Sequence, residues 1–524
     1  MKFPIDTLAI DRNSVAKWRQ EYSLPAAPEE LWAFNEEITE SFYRLISRHL
    51  KTELGELLLI KLKMPKEYGL FLGGQRLLSL LKERGDEPVW SSKAETFEIL
   101  RSPPATAGEV RIKAASPGFQ LLKRKIRNIV YEIRVNGCPC YILNASYDGL
   151  PLWNIQPRLE SMAYSAKKDS SFRFADQEVI LSGAGKCVIP ASLEREIIEL
   201  TEEILGELKS ICEKFRVNLD KDLVGFLTKY TIGQLEKAAR FRDSITKHLA
   251  GRKIHLLAAS LSSDFARALA LVTHANGGKV TSFNHGNDTF SDRDLRMEMS
   301  IADEFCTYTK GSVELLRTRP AHLHPDFSPN RPELSSLDID TYRNLWEKSQ
   351  KSPLPEKIRR VMVMGFPFDP VLVTNFGIPD TAFLHLEMKL MESLQKAGFE
   401  VLYKEHPESC CPGLPAESLG IRVVTGRLEE SAPEADAFVF AYSYSSIFPW
   451  TLCLNKPVAL IDTMPVHRHH RPEIEELLKR RCALIKVTHD ERNCFAYDEA
   501  ALLSYLQAKP GPPDDVLVKK YMFP

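Results

Sequence analysis

The chain has 524 residues, of which 44% are hydrophobic and 27% are charged, and its formal net charge is −1. This is the composition of a globular protein, and the length predicts two or three domains rather than one core. A net charge so close to zero argues against a nucleic-acid partner. The first residues lack the pattern of a signal peptide, and no charge-free segment of about 18 residues resembles a membrane span. We therefore expect a cytoplasmic protein whose ten cysteines are reduced.

The amino-terminal part of the chain predicts a helical region followed by the start of an α/β domain. We expect residues 1–54 to form an accessory helical region and residues 55–325 to form a first Rossmann-like domain. Short apolar runs alternate here with amphipathic segments, which is typical of a βαβ unit. The predicted elements are a helix at 29–50, a strand at 57–62, a helix at 70–84 that ends at Gly85, and a strand at 87–90.

A charged helical insertion interrupts this domain before its strand-and-helix pattern resumes. Residues 189–250 have helical periodicity, so we expect them to cover one side of the sheet or to form an inserted helical layer. Residues 320–332 contain four prolines among polar residues, which is the composition of an interdomain linker. The predicted elements are helices at 193–215 and 222–249, a strand at 254–258, a helix at 262–276, strands at 279–283 and 301–308, and a helix at 310–318.

A second Rossmann-like domain is expected over residues 357–508, with a carboxy-terminal tail at 509–524. Its first strand, at 359–365, ends on a glycine that would begin the first loop of a ligand site. Apolar residues from Phe383 to Ala397 recur mainly at three- and four-residue steps, which indicates a helix with one face on the sheet. Further strands are predicted at 399–403, 421–424, 436–441 and 458–461, and a further helix at 447–454.

The polar residues that follow these strands predict an anion-binding site. Ligands of open α/β sheets bind at the carboxyl ends of the strands, and the strand at 399–403 leads into Lys404, Glu405 and His406. The strand at 436–441 leads into a serine-rich loop before a helix, whose hydroxyls and free N–H groups suit phosphate. We therefore expect a nucleotide pocket whose binding residues are Gly365, Lys404, His406, Ser443, Ser445 and Ser446.

Three motifs occur in an order that resembles the GT-B glycosyltransferases. They are Asn284-His285-Gly286 and His406-Pro407, each after a strand, and Ser445-Ser446 before a helix. More narrowly, the chain is similar to bacterial capsule and teichoic-acid enzymes, namely polysialyltransferases, Kdo transferases and CDP-glycerol glycerophosphotransferases. The likeness covers residues 253–510. It implies a GT-B-like fold in which two Rossmann-like domains face each other across a cleft, the first binding the acceptor and the second the nucleotide sugar.

The first motif supplies the candidate catalytic residues. His285 suits a general base that deprotonates the acceptor hydroxyl, because an imidazole titrates near neutral pH. Gly286 lets a substrate approach the backbone closely, and together with Asn284 it is expected to bind substrate. Asp288 is the rival base, because sialyltransferase-like members use an acidic residue in this loop. Otherwise Asp288 or Asp292 would orient the imidazole of His285.

The main interpretation is a metal-independent glycosyltransferase that uses a CMP- or CDP-linked sugar donor in bacterial surface polysaccharide synthesis. In this interpretation His406 donates a hydrogen bond to the leaving phosphate and Lys404 neutralises its charge. No cofactor is expected. A metal is not expected either, because Cys138-Pro139-Cys140 is too tightly spaced and no second pair follows it.

Three alternatives stay open. The first is a polyol-phosphate transferase of the same fold. The second is a UDP-sugar 2-epimerase, although such an enzyme would have Ser-Gly-Gly and paired glutamates where this chain has Ser445-Ser446-Ile447-Phe448. The third is a non-catalytic subunit that binds a nucleotide or a glycan, because this helix lacks the glutamate that related enzymes use to hold a ribose.

The expected partners are a nucleotide sugar and a glycan or lipid-linked acceptor, and no nucleic acid. A basic stretch from Leu121 to Arg134 is either the solvated face of a helix or strand, or a surface for a membrane or an anionic acceptor. If the basic stretch is a surface for a membrane, the expected cytoplasmic protein also makes a peripheral contact with the inner membrane.

Overall fold

Within the residues that it describes, the computed structural model has two large and mainly parallel β-sheets, each accompanied by helices, and a largely helical layer built from the first 91 residues. The predicted α/β class is thereby confirmed. The described residues are 2–10, 14–91, 152–154, 172–174, 177–181, 184, 187–258, 260–284, 296–318, 332–337, 340–368, 374–375, 377–406, 409, 411, 413–443, 447–463 and 471–523.

The first 91 residues combine four helices with a two-stranded parallel sheet, in which the first strand pairs with the predicted strand near residue 87. The predicted helix at 70–84 is confirmed, and it ends at Gly85, whose φ of 75° is the left-handed conformation that glycine adopts without strain. The elements are β1 (Lys2–Pro4), α1 (Val15–Glu21), α2 (Pro28–His49), α3 (Glu53–Ile60), α4 (Met64–Arg84) and β2 (Glu87–Val89).

The strand predicted at 57–62 is wrong, because this segment belongs to helix α3. Thr52 caps the helix by accepting a hydrogen bond from the backbone N–H of Gly55 at 3.2 Å. The run Leu57–Ile60 is apolar on consecutive positions, and periodicity alone cannot distinguish a buried strand from a buried helix in so short a run. Its four side chains are buried on all sides, as expected for a helix surrounded by other helices.

The amino-terminal sheet has six parallel strands in the order β4-β3-β5-β6-β7-β8. The helices predicted at 193–215 and 222–249 are confirmed. Ser263 is the N-cap of the helix that begins at Asp264, and its hydroxyl accepts from the N–H of Ala266 at 3.1 Å. The elements are β3 (Leu152–Asn154), β4 (Phe172–Phe174), α5 (Gln177–Leu181), α6 (Ala191–Lys214), α7 (Lys221–Leu249), β5 (His255–Ala258), α8 (Asp264–Ala275), β6 (Lys279–Phe283), α9 (Arg296–Met299), β7 (Glu304–Thr307), α10 (Lys310–Arg317) and β8 (Glu333–Ser336).

The carboxy-terminal sheet has seven strands in the order β13-β12-β9-β14-β15-β16-β17, all parallel except the last pair. Counted within this domain, the first six strands have the order 3-2-1-4-5-6, which is that of the Rossmann fold. The elements are α11 (Thr341–Gln350), β9 (Arg360–Met364), β10 (Thr374–Asn375), β11 (Ile378–Pro379), α12 (Asp380–Lys396), β12 (Glu400–Lys404), α13 (Leu414–Glu417), β13 (Arg422–Val424), α14 (Leu428–Ser431), β14 (Ala437–Phe440), α15 (Ile447–Leu452), β15 (Val458–Asp462), α16 (Pro472–Arg481), β16 (Ala483–His489), β17 (Phe495–Tyr497), α17 (Glu499–Gln507) and α18 (Val516–Tyr521).

Both faces of the carboxy-terminal sheet are buried, and successive residues of its central strand enter different hydrophobic clusters. Val361 and Val363 of β9 join the cluster that contains helix α12. Met362 and Met364 join the cluster that contains helices α15 and α16. Burial on both faces explains why these strands are continuous apolar runs rather than alternating ones.

Both ends of the chain pack onto elements that are distant in sequence. Near the amino terminus, Arg19 forms an ion pair with Glu392 of α12 at 2.6 Å, and the hydroxyl groups of Tyr22 and Thr381 lie 2.8 Å apart. At the carboxyl end, helix α18 contacts both α10 and α16. The Thr309 hydroxyl before α10 donates to the Tyr521 carbonyl at 2.6 Å. Within the described ranges, no helix has the length and apolarity needed to span a bilayer.

Candidate functional site

The strand order places a crevice at the carboxyl edge of the carboxy-terminal sheet. From β9 the chain continues to β12 and β13 on one side of the sheet, and it then crosses back to β14 on the other side of β9. The neighbouring strands β9 and β14 therefore form the topological switch point, where doubly wound sheets bind ligands. Lys404 and Phe440 are both in register with Met364, so the three strands β12, β9 and β14 end at the same level. The loops after them therefore share one edge.

Gly365 is required at the end of β9 by a close approach of Tyr403. A Cβ atom at this position would lie 2.5 Å from the Tyr403 hydroxyl oxygen and 2.7 Å from Cζ of the same ring. The backbone N–H of Gly365 donates to the Lys404 carbonyl at 2.9 Å, which continues the pairing of the two strands into the loop. The predicted first loop of the site is therefore anchored in the sheet rather than free of it.

Lys404 is a nearly buried cation with no carboxylate partner. Its side chain is 5% exposed, and its ammonium group donates to the Glu405 carbonyl at 3.0 Å. No acidic oxygen of the described residues lies within 4.0 Å of it. Burial lowers the pKa of Lys404, although the charges of Glu405 and Glu429 act in the opposite direction. An anionic ligand would supply the counter-charge that the described protein groups do not.

Ser443 carries a buried hydroxyl that has no hydrogen-bond partner among the described residues. It is 8% exposed and lies two residues beyond Ala441, in the loop after β14. Buried polar groups are nearly always hydrogen-bonded, so an unpartnered hydroxyl at the edge of a sheet is available to bond a ligand there. A hydroxyl group can donate a hydrogen bond to a phosphate oxygen, and it can accept one from a protonated phosphate oxygen.

His406 lies beside Lys404 at the start of the loop after β12, where it is half-buried. Its carbonyl accepts from the N–H of Ser409 at 3.1 Å, and the neighbouring Glu405 carboxylate accepts from the N–H of Gly413 at 2.8 Å. These two bonds fold the loop back on itself. His406 therefore lies at the same edge of the sheet as Lys404, Gly365 and Ser443.

The amino-terminal motif is described only at Asn284. This residue directly follows β6, is 2% exposed, and its amide group donates to the Thr307 hydroxyl of β7 at 3.3 Å. The other predicted residues of the site lie outside the described ranges, as do the basic stretch from Leu121 to Arg134 and the Cys138–Cys140 pair. The predicted site residues that lie outside the described ranges are His285, Gly286, Asp288, Asp292, Ser445 and Ser446.

No cluster of three or more histidine, cysteine or acidic side chains suited to a metal occurs in the described part of the chain. The seven cysteines within these ranges are buried and form no disulfide with one another. Burial raises the pKa of Cys306 and of Cys482 to about 12, so these thiols are protonated at neutral pH and are poor nucleophiles.

Sequence reasoning missed two side chains that tie the strand ends together. Glu387 of α12 accepts from the backbone N–H of Phe366 and from the Tyr403 hydroxyl, and the Tyr442 hydroxyl donates to the Gly365 carbonyl at 2.8 Å. The sequence contains a signal for the first of these. Glu387 stands four residues after Phe383 and four before Met391, and therefore lies on the apolar face of its helix.

Comparisons with known proteins give weak likenesses only. No family model matches the chain, and no curated protein matches it in sequence. Similar solved structures include a UDP-GlcNAc 2-epimerase from Methanocaldococcus jannaschii, at 14% identity and a TM-score of 0.29, over 52% of this chain and 75% of that one. Another is a UDP-GlcNAc 2-epimerase from Neisseria meningitidis bound to UDP-GlcNAc, at 11% identity and a TM-score of 0.30, over 71% of this chain and 99% of that one. Likenesses of this size carry no argument about activity.

Proposed function

We propose that the chain is an enzyme acting on a nucleotide-activated sugar, whose phosphates bind at the carboxyl edge of the carboxy-terminal sheet. The observation that carries this proposal is the ammonium group of Lys404, which is nearly buried and lacks a carboxylate partner among the described residues. A buried charge is costly unless it is paired. Phosphate at the switch point would pair it, and the unpartnered hydroxyl of Ser443 would supply a hydrogen bond.

The reaction that we propose is glycosyl transfer from a CMP- or CDP-linked donor to a glycan or lipid-linked acceptor in surface polysaccharide synthesis. It follows from the order of the three motifs, and it assigns His285 as the base, with Asp288 as the rival base or as the orienter of the imidazole. His406 would donate to the leaving phosphate. In this proposal the domains at 55–325 and 357–508 face each other across the cleft that holds both substrates.

The phosphate contact is tested by replacing Lys404 with methionine, which keeps an unbranched side chain of nearly the same length and removes its charge. We expect Lys404→Met to weaken nucleotide binding about 10- to 100-fold, because one hydrogen bond to a charged group is worth about 1.5–3 kcal/mol. Calorimetric titration with CMP, CDP, UDP and GDP and with their sugars would measure the loss and identify the nucleotide.

Lys456 offers a matched control, because it is a second poorly exposed lysine whose ammonium group donates only to carbonyls. It bonds the carbonyls of Ala432 and Ala435 and precedes β15, and so lies at the opposite edge of the sheet. Lys456→Met should leave nucleotide affinity within about twofold of the wild type, since no ligand is expected there. Equal losses in the two variants, or no binding of any nucleotide to the wild type, would refute the proposed site.

The products formed from a bound nucleotide sugar distinguish the reactions. Transfer requires an acceptor and releases the nucleotide, whereas a 2-epimerase converts the sugar without any acceptor. We expect acceptor-dependent release of CMP or CDP that is lost in His285→Ala, with nucleotide affinity retained, because general base catalysis contributes about 10²–10⁴-fold. Conversion of UDP-GlcNAc without acceptor would overturn glycosyl transfer, and tight binding with neither product would indicate a binding subunit.

A further inference from the structure

Glu387 is a fully buried carboxyl group in the middle of helix α12, at 0% exposure. It accepts two hydrogen bonds, from the backbone N–H of Phe366 at 2.5 Å and from the Tyr403 hydroxyl at 2.9 Å. Its helix neighbours Leu386 and Met388 are also fully buried. Burying an ionisable side chain at such a position costs free energy. An apolar residue would cost less there if the side chain served only for packing.

The two groups that donate hydrogen bonds to Glu387 lie at the ends of two different strands of the sheet. Phe366 belongs to the loop after β9, and Tyr403 precedes Lys404 at the end of β12. The Tyr403 hydroxyl reaches the carboxyl group through the space that Gly365 leaves open. Glu387 therefore fixes the loop after β9 against the end of β12.

A third strand joins this network across the switch point. The Tyr442 hydroxyl donates to the Gly365 carbonyl at 2.8 Å, and the Tyr442 ring packs edge-on against the ring of Phe366 at 5.2 Å. Phe366 also stacks on Phe383 of α12 at 4.4 Å. The loop after β9 is thus held from the helix below it and from the strands on both sides.

Each tied residue is next in sequence to a residue with an unsatisfied group. Within the described residues, Lys404, which follows Tyr403, has no carboxylate partner, and the hydroxyl of Ser443, which follows Tyr442, has no hydrogen-bond partner. We propose that Glu387 is a positioning residue that holds Lys404, Ser443 and the loop after β9 in the arrangement that binds a nucleotide phosphate. This inference rests on the proposed function, which places the phosphates at this edge.

The protonation state of Glu387 gives this role a signature. Burial raises the pKa of Glu387 to about 8, and the bonds from Tyr403 and Phe366 offset only part of that rise. The titratable groups closest to this network are Tyr403, Tyr442 and Cys411, and burial raises the pKa of Tyr403 far above neutrality. Because the pKa of Glu387 is higher in the folded chain than in the unfolded one, its contribution to folding stability is fully present below pH 4.5 and is lost progressively between pH 4.5 and about 8. In the folded chain the carboxyl group itself ionises as pH rises through about 8.

The experiment compares Glu387→Gln and Glu387→Leu with the wild-type chain. Glutamine is neutral and keeps both an acceptor for the Phe366 N–H and a group that bonds the Tyr403 hydroxyl, whereas leucine keeps neither. Two quantities are measured between pH 6.5 and pH 9: the affinity for the nucleotide that the titrations identify, and hydrogen exchange at the Phe366 amide. The second ionisation of a phosphate group is nearly complete above about pH 7.

The expected result separates the two variants. Glu387→Leu should lose at least about tenfold in nucleotide affinity, equivalent to one hydrogen bond, and should expose the Phe366 amide to exchange. Wild-type affinity should fall as pH rises through about 8, and Glu387→Gln should retain affinity without this fall. Tyr442→Phe should weaken binding in the same direction as Glu387→Leu.

Arg481→Met is the matched control for simple destabilisation. Arg481 is 2% exposed and donates to the carbonyls of Leu452 and Leu454, both at 2.7 Å, at the opposite edge of the same sheet. It should lower the unfolding temperature while leaving affinity and exchange at Phe366 unchanged. A loss of affinity in Arg481→Met equal to that in Glu387→Leu, or an unchanged Phe366 amide in Glu387→Leu, would overturn the positioning role. If the wild type binds no nucleotide, the proposed function fails, and the exchange data alone decide whether Glu387 holds the loop.

Discussion

Replacing Gly365 with alanine tests whether the end of β9 is built around the Tyr403 ring. The added Cβ atom would lie 2.5 Å from the Tyr403 hydroxyl oxygen, 2.7 Å from Cζ and 3.0 Å from the Lys404 carbonyl oxygen. Ordinary contacts begin near 3.4 Å, so the ring has to move by nearly 1 Å. This movement breaks the 2.9 Å hydrogen bond from Tyr403 to Glu387.

The cost of Gly365→Ala follows from two contributions. Losing the bond that satisfies a buried carboxyl group costs about 1–3 kcal/mol, and overpacking a well-filled core costs about 1–3 kcal/mol more. We therefore expect a loss of about 2–6 kcal/mol, a large part of the 5–15 kcal/mol that is typical of folded domains. Urea unfolding measures this loss as a lower midpoint at an unchanged slope.

Two further variants control the interpretation. Gly206→Ala adds the same methyl group in helix α6, where nothing lies within 4 Å, and should stabilise the chain by about 0.5–1 kcal/mol. The double variant Gly365→Ala/Tyr403→Phe lacks the oxygen closest to the new methyl group, so its loss should be smaller than the sum of the single losses by about 0.5–3 kcal/mol. Strict additivity, or an unchanged midpoint in Gly365→Ala, would refute this reasoning.

Two other predictions concern buried charges. Asp264→Ala should cost about 3–5 kcal/mol in urea unfolding, because it leaves the buried cations Lys61 and Arg267 without their carboxylate partner. A loss below 1 kcal/mol would show that the two cations are satisfied without it. Burial lowers the pKa of His385 to about 4, so the unfolded chain binds its proton first and stability should fall by about 3 kcal/mol as pH drops from 6.5 to 4. His385→Gln should flatten this pH dependence, and an unchanged slope in unfolding experiments would contradict it.

Apolar periodicity predicted the long elements well, because their burial pattern repeats with the period of one secondary structure. The predicted strand at 279–283 coincides with β6, and the helix at 383–397 overlaps α12, which spans Asp380–Lys396. Strands β3 and β4, by contrast, have three residues each, too few to show a period of two. Strand β8 was not predicted because its residues are partly exposed and follow the proline-rich segment directly.

The sequence located the edge of the sheet that carries the candidate site, but not the side chains that hold it together. Lys404 and Ser443 follow apolar strands, and the rule that ligands bind at strand ends singles them out without coordinates. Nothing in the sequence marks Tyr403 and Tyr442 for this role, because a tyrosine in or next to an apolar run usually contributes its ring to the core. Their hydroxyl bonds join residues that are 16 and 77 positions apart, and only the strand order brings those residues together.

The strand order also explains why a side chain has to bridge the switch point. Helix α12 connects β9 to β12, so a residue in its middle can reach the ends of both strands. No such helix connects β9 directly to β14, because the chain enters β14 from β13 after passing through the other half of the sheet. The crevice between these strands is therefore the place where a doubly wound sheet can take a ligand, and no crossover helix bridges it. The hydroxyl of Tyr442 crosses it to the Gly365 carbonyl, so it can steady the crevice at the base while leaving its mouth free for phosphate.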